Sequence, residues 1–532
     1  MARTEIRQQG TRSFWVVFGA VAITIASRLP LLDLPAWPDE GGFLTVAGGW
    51  HLGDFHSASL YGPYWVDRPP VLITLYGLAD LLGGLVSLRL LGATAAAVTV
   101  IGVAWIARSV AGPRAAAWAA LTAAALLSTP FHWSFMVDGE LLAAPFVALG
   151  LALVTRGLTT EGTRGTLLSG AGGAMAVAAL LTKQNMADVF VFMAALVTTG
   201  LLSRAFGLRV ALRHTGAFAG GAVGFGAVIG VWTIAHGTSL GAVYYAMYPF
   251  RVDAATRTGG AISWNRLASM GAAAALSGLA VLTVWVVISG VRATRRDMHV
   301  LALLVVLGFD LLSVAVGTNY WLHYLIQPAV PVAALAGILA ARGSLVRVWT
   351  IVAVMMALVG WTVLMVSPPQ TGEELVGKAI AGAASRDDTI LTIPGHPNVN
   401  YAAGLHVPYR YMWALPARTL DPGKVKLRTL LGGPRAPTWL VASHGVPRRA
   451  SPGPVGAAIA DHYREVRRIC GRVVYLHNDV QRASPLLQPR AAATRASRCE
   501  SVTALPHLLR EVSRTAWSSL RTFATRRSQH DR

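Results

Sequence analysis

Charged residues are scarce in this chain, and their scarcity decides its class. Only 13% of the 532 residues are Asp, Glu, Lys or Arg, whereas about 25% is typical of soluble domains, and 54% are hydrophobic. This composition excludes an ordinary soluble enzyme. Apolar runs of about 18 or more residues recur along the first two thirds of the chain, which predicts a polytopic membrane protein.

Cysteine is nearly absent, which excludes a disulfide-rich scaffold. The two cysteines, Cys470 and Cys499, both lie near the C-terminus. They can form a disulfide if this region lies outside the cytoplasm, where the environment is oxidising. The sequence alone leaves both the free and the paired state open.

Acidic residues are outnumbered by basic ones. The chain has 25 Asp and Glu against 46 Lys and Arg, so its formal net charge is +21. Nucleic acid is not a predicted partner, because no arginine cluster is interleaved with exposed aromatic residues in a soluble segment. The arginines instead fall in short loops between apolar runs, as is typical of cytoplasmic loops.

The apolar runs predict about eleven membrane-spanning helices. These predicted spans lie at 13–32, 89–110, 115–131, 141–156, 166–182, 186–204, 214–236, 268–291, 298–317, 322–341 and 346–367. Segment 71–88 is apolar too, but it is short and is interrupted by Gly83 and Gly84.

The charge pattern decides whether segment 71–88 crosses the membrane. If it does not cross, the arginine-rich loops share one side with the basic N-terminus, and if it does cross, they fall on the opposite side. Positive charge favours the cytoplasmic side. We therefore predict that this segment is juxtamembrane or re-entrant. The N-terminus is then cytoplasmic, and the chain beyond residue 367 is extracytoplasmic.

The chain divides by composition into three predicted parts. Residues 1–367 form the transmembrane domain, 368–480 a small extracytoplasmic α/β domain, and 481–532 a basic tail. In the α/β domain we predict a helix over 372–384 and strands at 389–393, 439–442 and 472–476. The tail is predicted to be either disordered or a basic interfacial helix.

Two charged motifs flank the first predicted outer loop. Asp39 and Glu40 follow the first span, and Asp67 and Arg68 precede two prolines and segment 71–88. A partly desolvated carboxylate can take a proton from a hydroxyl or coordinate a cation, and an arginine suits phosphate. If these residues have no catalytic function, Asp39 and Glu40 are a solvated loop pair or a helix N-cap. Asp67 and Arg68 are then an interfacial ion pair.

Further polar residues lie at span ends on the same predicted side. They are Asp138, Glu140, Lys183, His323 and Tyr324. A lysine there can also snorkel to the headgroups, and aromatic residues can form an interfacial belt. Asp310 lies inside the ninth predicted span and is either functional or paired within the bundle.

No nucleotide-binding or hydrolase signature stands in the right context. Walker, Rossmann and Ser-His-Asp patterns are not present with the flanking elements that they need. Gly216, Gly220 and Gly224 recur at intervals of four inside one predicted span. This spacing predicts close helix packing rather than a phosphate-binding loop.

Taken in order, these motifs resemble polyprenyl-phosphate-sugar-dependent glycosyltransferases of the GT-C fold. The likeness is greatest to family 39, which includes protein O-mannosyltransferases and lipid A aminoarabinose transferases. The matching segments are Arg28, Pro38 to Glu40, Trp50 to Asp54, Asp67 to Pro70, Arg89, Val137-Asp138, Leu181 to Lys183 and His323 to Pro331. The resemblance implies an all-α GT-C-like bundle with juxtamembrane helices in the first outer loop.

The resemblance also implies roles for the first-loop residues. Asp39 would be the catalytic base toward an acceptor hydroxyl, and Glu40 would support it or help to hold a divalent metal ion. Asp67 would contact the metal, and Arg68 would contact the donor phosphate. The implied metal ligands are therefore Glu40 and Asp67.

The later motifs complete the implied site. Lys183 would face the donor phosphate, Asp138 would be a further acidic position, and His323 and Tyr324 would belong to the same site. The chain departs from the pattern at Gly42, where aminoarabinose transferases carry an arginine. Other groups must then hold the phosphate, and aminoarabinose is not indicated as the sugar.

The predicted function is transfer of a sugar from a polyprenyl phosphate to an acceptor hydroxyl at the extracytoplasmic face, with inversion in one displacement. The predicted partners are the lipid-linked donor, membrane lipid and an acceptor that the sequence does not specify. A secondary transporter or lipid flippase is the main alternative, and Asp310 favours it. A non-catalytic lipid-binding or assembly subunit on the same fold is a third.

Overall fold

The computed structural model describes residues 2–50, 59–258, 263–293, 297–343, 345–366, 372–393, 395–443, 453–487 and 499. His51 and Asp54, which belong to one of the matching segments, lie outside these residues. Most of the predicted basic tail lies outside them as well.

Helices make up the part of the chain that precedes residue 367. Alanine- and leucine-rich apolar runs form helices because lipid offers the backbone no hydrogen-bond partners of its own. The helices are α1 (Ala2–Ala26), α2 (Pro38–Gly48), α3 (Pro70–Leu81), α4 (Leu85–Ala111), α5 (Pro113–Ser128), α6 (Gly139–Thr159), α7 (Gly162–Thr182), α8 (Asp188–Leu202), α9 (Leu208–Ala235), α10 (Leu240–Met247), α11 (Pro249–Thr258), α12 (Trp264–Leu276), α13 (Leu279–Ala293), α14 (Met298–Val316), α15 (Ile326–Arg342) and α16 (Leu345–Val366).

Every predicted span is helical, and the predicted polytopic all-α class is confirmed. Within the described residues, eight helices are long and apolar enough to cross a membrane. The predicted span 268–291 is instead the pair α12 and α13, bent by 70°. The bend falls at Gly278, whose φ of +78° a helix cannot continue through. The predicted spans at 115–131 and 186–204 form the shorter helices α5 and α8, of 16 and 15 residues.

Segment 71–88 forms a short helix and a turn. Helix α3 has 12 residues, a length of about 18 Å at 1.5 Å per residue, whereas the hydrocarbon core is about 30 Å thick. Gly83 and Gly84 both have positive φ and turn the chain into α4. Helices α2 and α3 are the juxtamembrane helices that the resemblance implied.

Charged residues lie at both ends of the bundle, and each end carries a different set of them. Helix α4 carries Arg89 near its start and Arg108 in its last turn. Helix α6 begins beside Asp138 and ends at Arg156, and α15 ends at Arg342. We call the end with Arg89 and Asp138 the site end, and the arginine-rich loops lie at the other.

A small sheet region follows the bundle and packs on its site end. Its helices are α17 (Gly372–Ala381), α18 (Pro397–Ala403), α19 (Ala414–Leu420), α20 (Val425–Leu431) and α21 (Pro454–His462). Its strands are β1 (Ile390–Ile393), β2 (Trp439–Ala442), β3 (Tyr463–Ile469) and β4 (Arg472–His477), in the order β1-β2-β4-β3. Strands β1 and β2 are parallel and the other pairs are antiparallel.

Three of these strands coincide with the predicted ones, and β3 was not predicted. Strand β3 carries Arg464, Arg467 and Arg468, so its alternation of apolar residues is weak. A two-residue turn with positive φ at Cys470 and Gly471 joins β3 to β4. Cys470 forms a disulfide with Cys499.

The regular glycines of α9 do not face its helix neighbour. A Cβ atom built onto Gly216, Gly220 or Gly224 would meet nothing within 4 Å, so the prediction of close packing there is wrong. The close approach is one residue away, where a Cβ on Gly221 would lie 1.8 Å from the carbonyl oxygen of Gly170 in α7. A four-residue spacing marks one face of a helix, but it does not say which face meets a partner.

Gly221→Ala is expected to destabilise the bundle, because its methyl group would collide with the backbone of α7, which cannot rotate away. Overpacking of this kind costs about 1–3 kcal/mol. Gly220→Ala, on the open face of the same helix, is the control. Thermal unfolding in detergent should show a lower midpoint for the first variant alone, and equal midpoints would contradict the packing.

Candidate active site

Glu40 is buried at the start of α2 and is engaged on both carboxylate oxygens. Oε2 accepts hydrogen bonds from the backbone N–H of Trp37 at 3.0 Å and from Arg89 at 3.1 Å. Oε1 accepts from the backbone N–H of Val137 at 3.0 Å. The implied role of Glu40 as a metal ligand would require it to give up these contacts.

Arg89 holds the chain that leads into α2. Its guanidinium donates to the carbonyl oxygens of Leu31, Leu32, Leu34 and Pro35, at 2.5 to 3.2 Å. The side chain is 4% exposed, so these bonds and Glu40 replace its lost hydration. Residues 31–40 are therefore fixed against α4.

Asp39, the neighbour of Glu40, is only half-buried. Its Oδ1 accepts a hydrogen bond from the indole Nε1 of Trp413, at 2.9 Å. Among the described residues, no hydrogen bond is formed to its Oδ2. Trp413 lies at the start of α19, so a residue of the sheet region reaches the predicted catalytic base.

Asp67 is held between two arginines. Arg68 lies 2.8 Å from its Oδ1 and Arg251 lies 2.6 Å from its Oδ2. Burial raises the pKa of Asp67, but Arg251, Arg68 and Lys183 outweigh that effect, and the net pKa is lowered. Because two cations already neutralise this carboxylate, a third at the implied metal site would have to displace one of them.

Arg68 is directed toward Asp39. Its guanidinium lies 5.3 Å from the centre of the Phe43 ring, one helical turn beyond Asp39. Burial lowers the pKa of Arg68, while the charges of Asp67 and Asp39 raise it, and the net pKa is above its usual value. The first-loop motifs therefore meet at one place.

Arg251 was not predicted as a site residue. It lies on α11, in the loop between the seventh and eighth predicted spans. The only signal in the sequence was the position of that loop on the predicted outer side.

The later motifs meet beside the first-loop residues. The Lys183 ammonium lies 2.9 Å from Glu140 Oε1 and 5.5 Å from the centre of the Tyr324 ring. His323 Nδ1 lies 3.6 Å from Asp138 Oδ2, and its Nε2 lies 3.9 Å from Glu140 Oε2. The structure thus brings together Asp138, Lys183, His323 and Tyr324 as the resemblance implied, and adds Glu140.

Asp138, Glu140 and His323 have the composition of a divalent metal site. One ligand atom from each lies within 4.8 Å of the others, and all three residues are buried. Within the described part of the chain, Asp138 Oδ2, Glu140 Oε2 and His323 Nδ1 have no hydrogen-bond partner. Two carboxylates and an imidazole suit a divalent ion, so these residues fit such a group.

The electrostatics favour a cation near this group. Burial and then the Glu140 charge raise the pKa of Asp138 well above its usual value, although the Leu141 N–H and Lys183 oppose this. Burial lowers the pKa of Lys183, and its ion pair with Glu140 works against that. An added cation would favour the ionised form of Asp138.

Asp310 does not belong to this site. It is fully buried in α14, where Gln327 donates to its Oδ1 at 3.0 Å and the Asp188 carboxyl is within hydrogen-bonding reach. Its bond to Gln327 agrees with the alternative of pairing within the bundle.

No protein-family model and no curated protein sequence matches this chain, but solved structures do. ArnT from Cupriavidus metallidurans bound to undecaprenyl phosphate matches with a TM-score of 0.60 and 16% identity, over 87% of this chain and 98% of that one. The oligosaccharyltransferase AglB from Archaeoglobus fulgidus, in complex with an inhibitory peptide and a dolichol-phosphate, matches with a TM-score of 0.53 and 12% identity, over 81% of this chain and 69% of that one.

These likenesses establish the fold class. Both neighbours are glycosyltransferases of the GT-C fold, and this chain has that fold. It is a multi-pass membrane protein with a GT-C bundle and a small sheet region at its C-terminus.

Glu40→Ala is expected to destabilise the protein, because it leaves the buried Arg89 guanidinium without its counter-ion. Breaking a buried ion pair costs about 3–5 kcal/mol. Asp39→Asn, one residue away and half-buried, is the control and should unfold at the wild-type temperature. If Glu40→Ala were as stable as wild type in a thermal unfolding experiment, Glu40 would not have this structural role.

Proposed function

We propose that this protein is an integral membrane glycosyltransferase that moves a sugar from a polyprenyl phosphate to an acceptor hydroxyl. One observation carries the proposal: a half-buried carboxylate, Asp39, lies near Arg68, which shares Asp67 with Arg251, at the site end of a GT-C bundle. The undecaprenyl phosphate and dolichol-phosphate in the two neighbours support a lipid-phosphate donor.

The donor phosphate would be bound by Arg68, Arg251 and Lys183. Arg68 and Arg251 share the single carboxylate of Asp67, so both keep N–H donors for a phosphate oxygen. Their positive charge stabilises the polyprenyl phosphate as it leaves with the electrons of the broken bond. These groups do the work that the arginine missing at Gly42 would have done.

Asp39 would act as the general base. Its Oδ2 takes the proton of the acceptor hydroxyl while that oxygen forms a bond to the anomeric carbon. The bond from that carbon to the phosphate oxygen breaks on the opposite face. A single displacement of this kind inverts the anomeric configuration.

Asp138, Glu140 and His323 would hold a divalent metal ion next to the phosphate-binding cations. Such an ion supplies positive charge that stabilises the leaving phosphate. The ligand atoms of these three residues lie within 4.8 Å of one another and are buried, which supports such a site.

The site end would face the extracytoplasmic side, with the N-terminus in the cytoplasm. The arginine-rich loops at the opposite end support this orientation. The disulfide between Cys470 and Cys499, in the sheet region at the site end, supports it as well. We keep the division into domains at 1–367 and 368–480, with a basic tail at 481–532.

Asp39→Asn is expected to reduce transfer by about 10²–10⁴-fold, because it removes the base but leaves the phosphate-binding cations in place. The measurement is mass spectrometry of the lipids that co-purify with wild type and variant. The variant should retain a glycosylated polyprenyl phosphate, whereas wild type should also contain the free polyprenyl phosphate.

Two controls make this experiment decisive. Thermal unfolding must show that the variant is folded, and Arg68→Ala combined with Arg251→Ala should lose the bound lipid phosphate. If every preparation held only bulk phospholipid, and supplied polyprenyl-phosphate sugars were never turned over, the proposed function would be wrong.

Removal of one candidate metal ligand is expected to abolish metal binding. Wild-type protein, dialysed against a mixture of Mg²⁺, Mn²⁺ and Zn²⁺, should retain a divalent ion by elemental analysis, and His323→Ala should not. His396→Ala is the control, because His396 lies 2.8 Å from Glu373 in the sheet region, but outside the site. Retention of the ion by His323→Ala would contradict the assignment.

A further inference from the structure

The sheet region places one aromatic side chain directly on the predicted catalytic base. The indole N–H of Trp413 donates to Asp39 Oδ1 at 2.9 Å. The Trp413 ring also contacts Phe43, with centroids 5.2 Å apart and planes inclined by 35°. Since Arg68 lies over the same Phe43 ring, Trp413 stands beside both the base and a phosphate-binding cation.

Gly42 leaves the space that Trp413 fills. A Cβ atom built onto Gly42 would lie 2.3 Å from Cζ2 of the indole and 2.9 Å from its Cη2, and 2.8 Å from Cγ of Pro397 in α18. No side chain fits there unless the ring moves. The absence of a side chain at Gly42 therefore leaves room against α2 for the Trp413 indole of the sheet region.

The backbone that carries Trp413 is anchored independently of Asp39. The N–H of Trp65 donates to the carbonyl of Arg410 at 2.9 Å, and the Arg410 guanidinium donates to the carbonyl of Tyr61. Asn398 donates to the carbonyl of Ala36 at 3.0 Å, just before α2. The chain around Trp413 is thus tied to the first loop and to the entry of α2 by contacts that do not involve Asp39.

An indole N–H can only donate a hydrogen bond. Asp39 Oδ1 therefore accepts, which lowers its basicity, and Oδ2, which accepts no hydrogen bond from the described residues, is the oxygen better placed to take the proton of a reacting hydroxyl. A hydroxyl or amide partner could reverse its role and leave either oxygen open to the proton.

We propose that Trp413 is a positioning residue of the active site, which binds Asp39 Oδ1 and directs Oδ2 to the acceptor hydroxyl. This inference rests on the proposed function. The sheet region then completes the active site of the membrane bundle and is not merely attached to it.

The first test removes the donor and keeps an aromatic ring. Trp413→Phe should lower kcat by about 10- to 100-fold, as expected when a reacting group loses its fixed orientation, with little change in KM for the donor. The probe is the polyprenyl-phosphate-sugar fraction extracted from native membranes, and the assay follows release of free polyprenyl phosphate. An unchanged kcat would overturn the proposal.

The second test displaces the indole without changing it. Gly42→Ala should lower kcat to a similar extent, because its methyl group overlaps the indole. In the Trp413→Phe background its further effect should be smaller, since the shorter phenyl ring relieves the clash with the ring and leaves the contact with Pro397. Fully multiplicative losses would show that Gly42 acts independently of Trp413.

Gly48→Ala is the matched control on the same helix. A Cβ there meets only Asp80 Oδ2, at an ordinary 3.4 Å, so activity should be unchanged. Asp39→Asn distinguishes an error in the role of Trp413 from an error in the proposed function. If Asp39→Asn is inactive but Trp413→Phe is fully active, only the role of Trp413 is wrong. If Asp39→Asn is fully active, the proposed function is wrong.

Discussion

The buried ion pair of Glu40 and Arg89 is the contact on which the rest of the site depends. Two charges taken out of water are costly unless every polar atom around them finds a partner. Here the guanidinium also binds four carbonyl oxygens of residues 31–35, and the carboxylate also binds two backbone N–H groups. Residues 31–40 are thereby held in one conformation, and these hydrogen bonds offset part of the cost of burying the two charges.

The Glu40 carboxylate helps to position two acidic residues that are distant in sequence, Asp39 and Asp138. Glu40 follows Asp39 directly, and its bond to the N–H of Val137 fixes the residue before Asp138. The predicted base Asp39 and Asp138, the first residue of the candidate metal site, are therefore both supported by Glu40. A displacement of Glu40 would disturb the backbone beside both residues, so its contacts support a structural role for Glu40.

Much of the bundle and about half of the site could be predicted from the sequence. Apolar runs and charge asymmetry reveal the spans, and the order of Asp39, Arg68, Asp138 and Lys183 along span ends predicts that they meet. Arg251 and Trp413 could not be found this way, because each enters from a loop or domain whose approach depends on tertiary packing. For the same reason the open face of α9 was mistaken for its contact face.

The structural effect of Gly42 depends on Trp413, the residue that packs against it. In the sequence, Gly42 stands where aminoarabinose transferases carry an arginine, which predicts that other groups hold the phosphate. In the structure the absence of a side chain admits the Trp413 indole to Asp39, while Arg251 adds the positive charge from another loop. The positive charge of Arg251 comes from α11 and the contact to Asp39 comes from the sheet region, so two separate parts of the fold complete the surroundings of the predicted base.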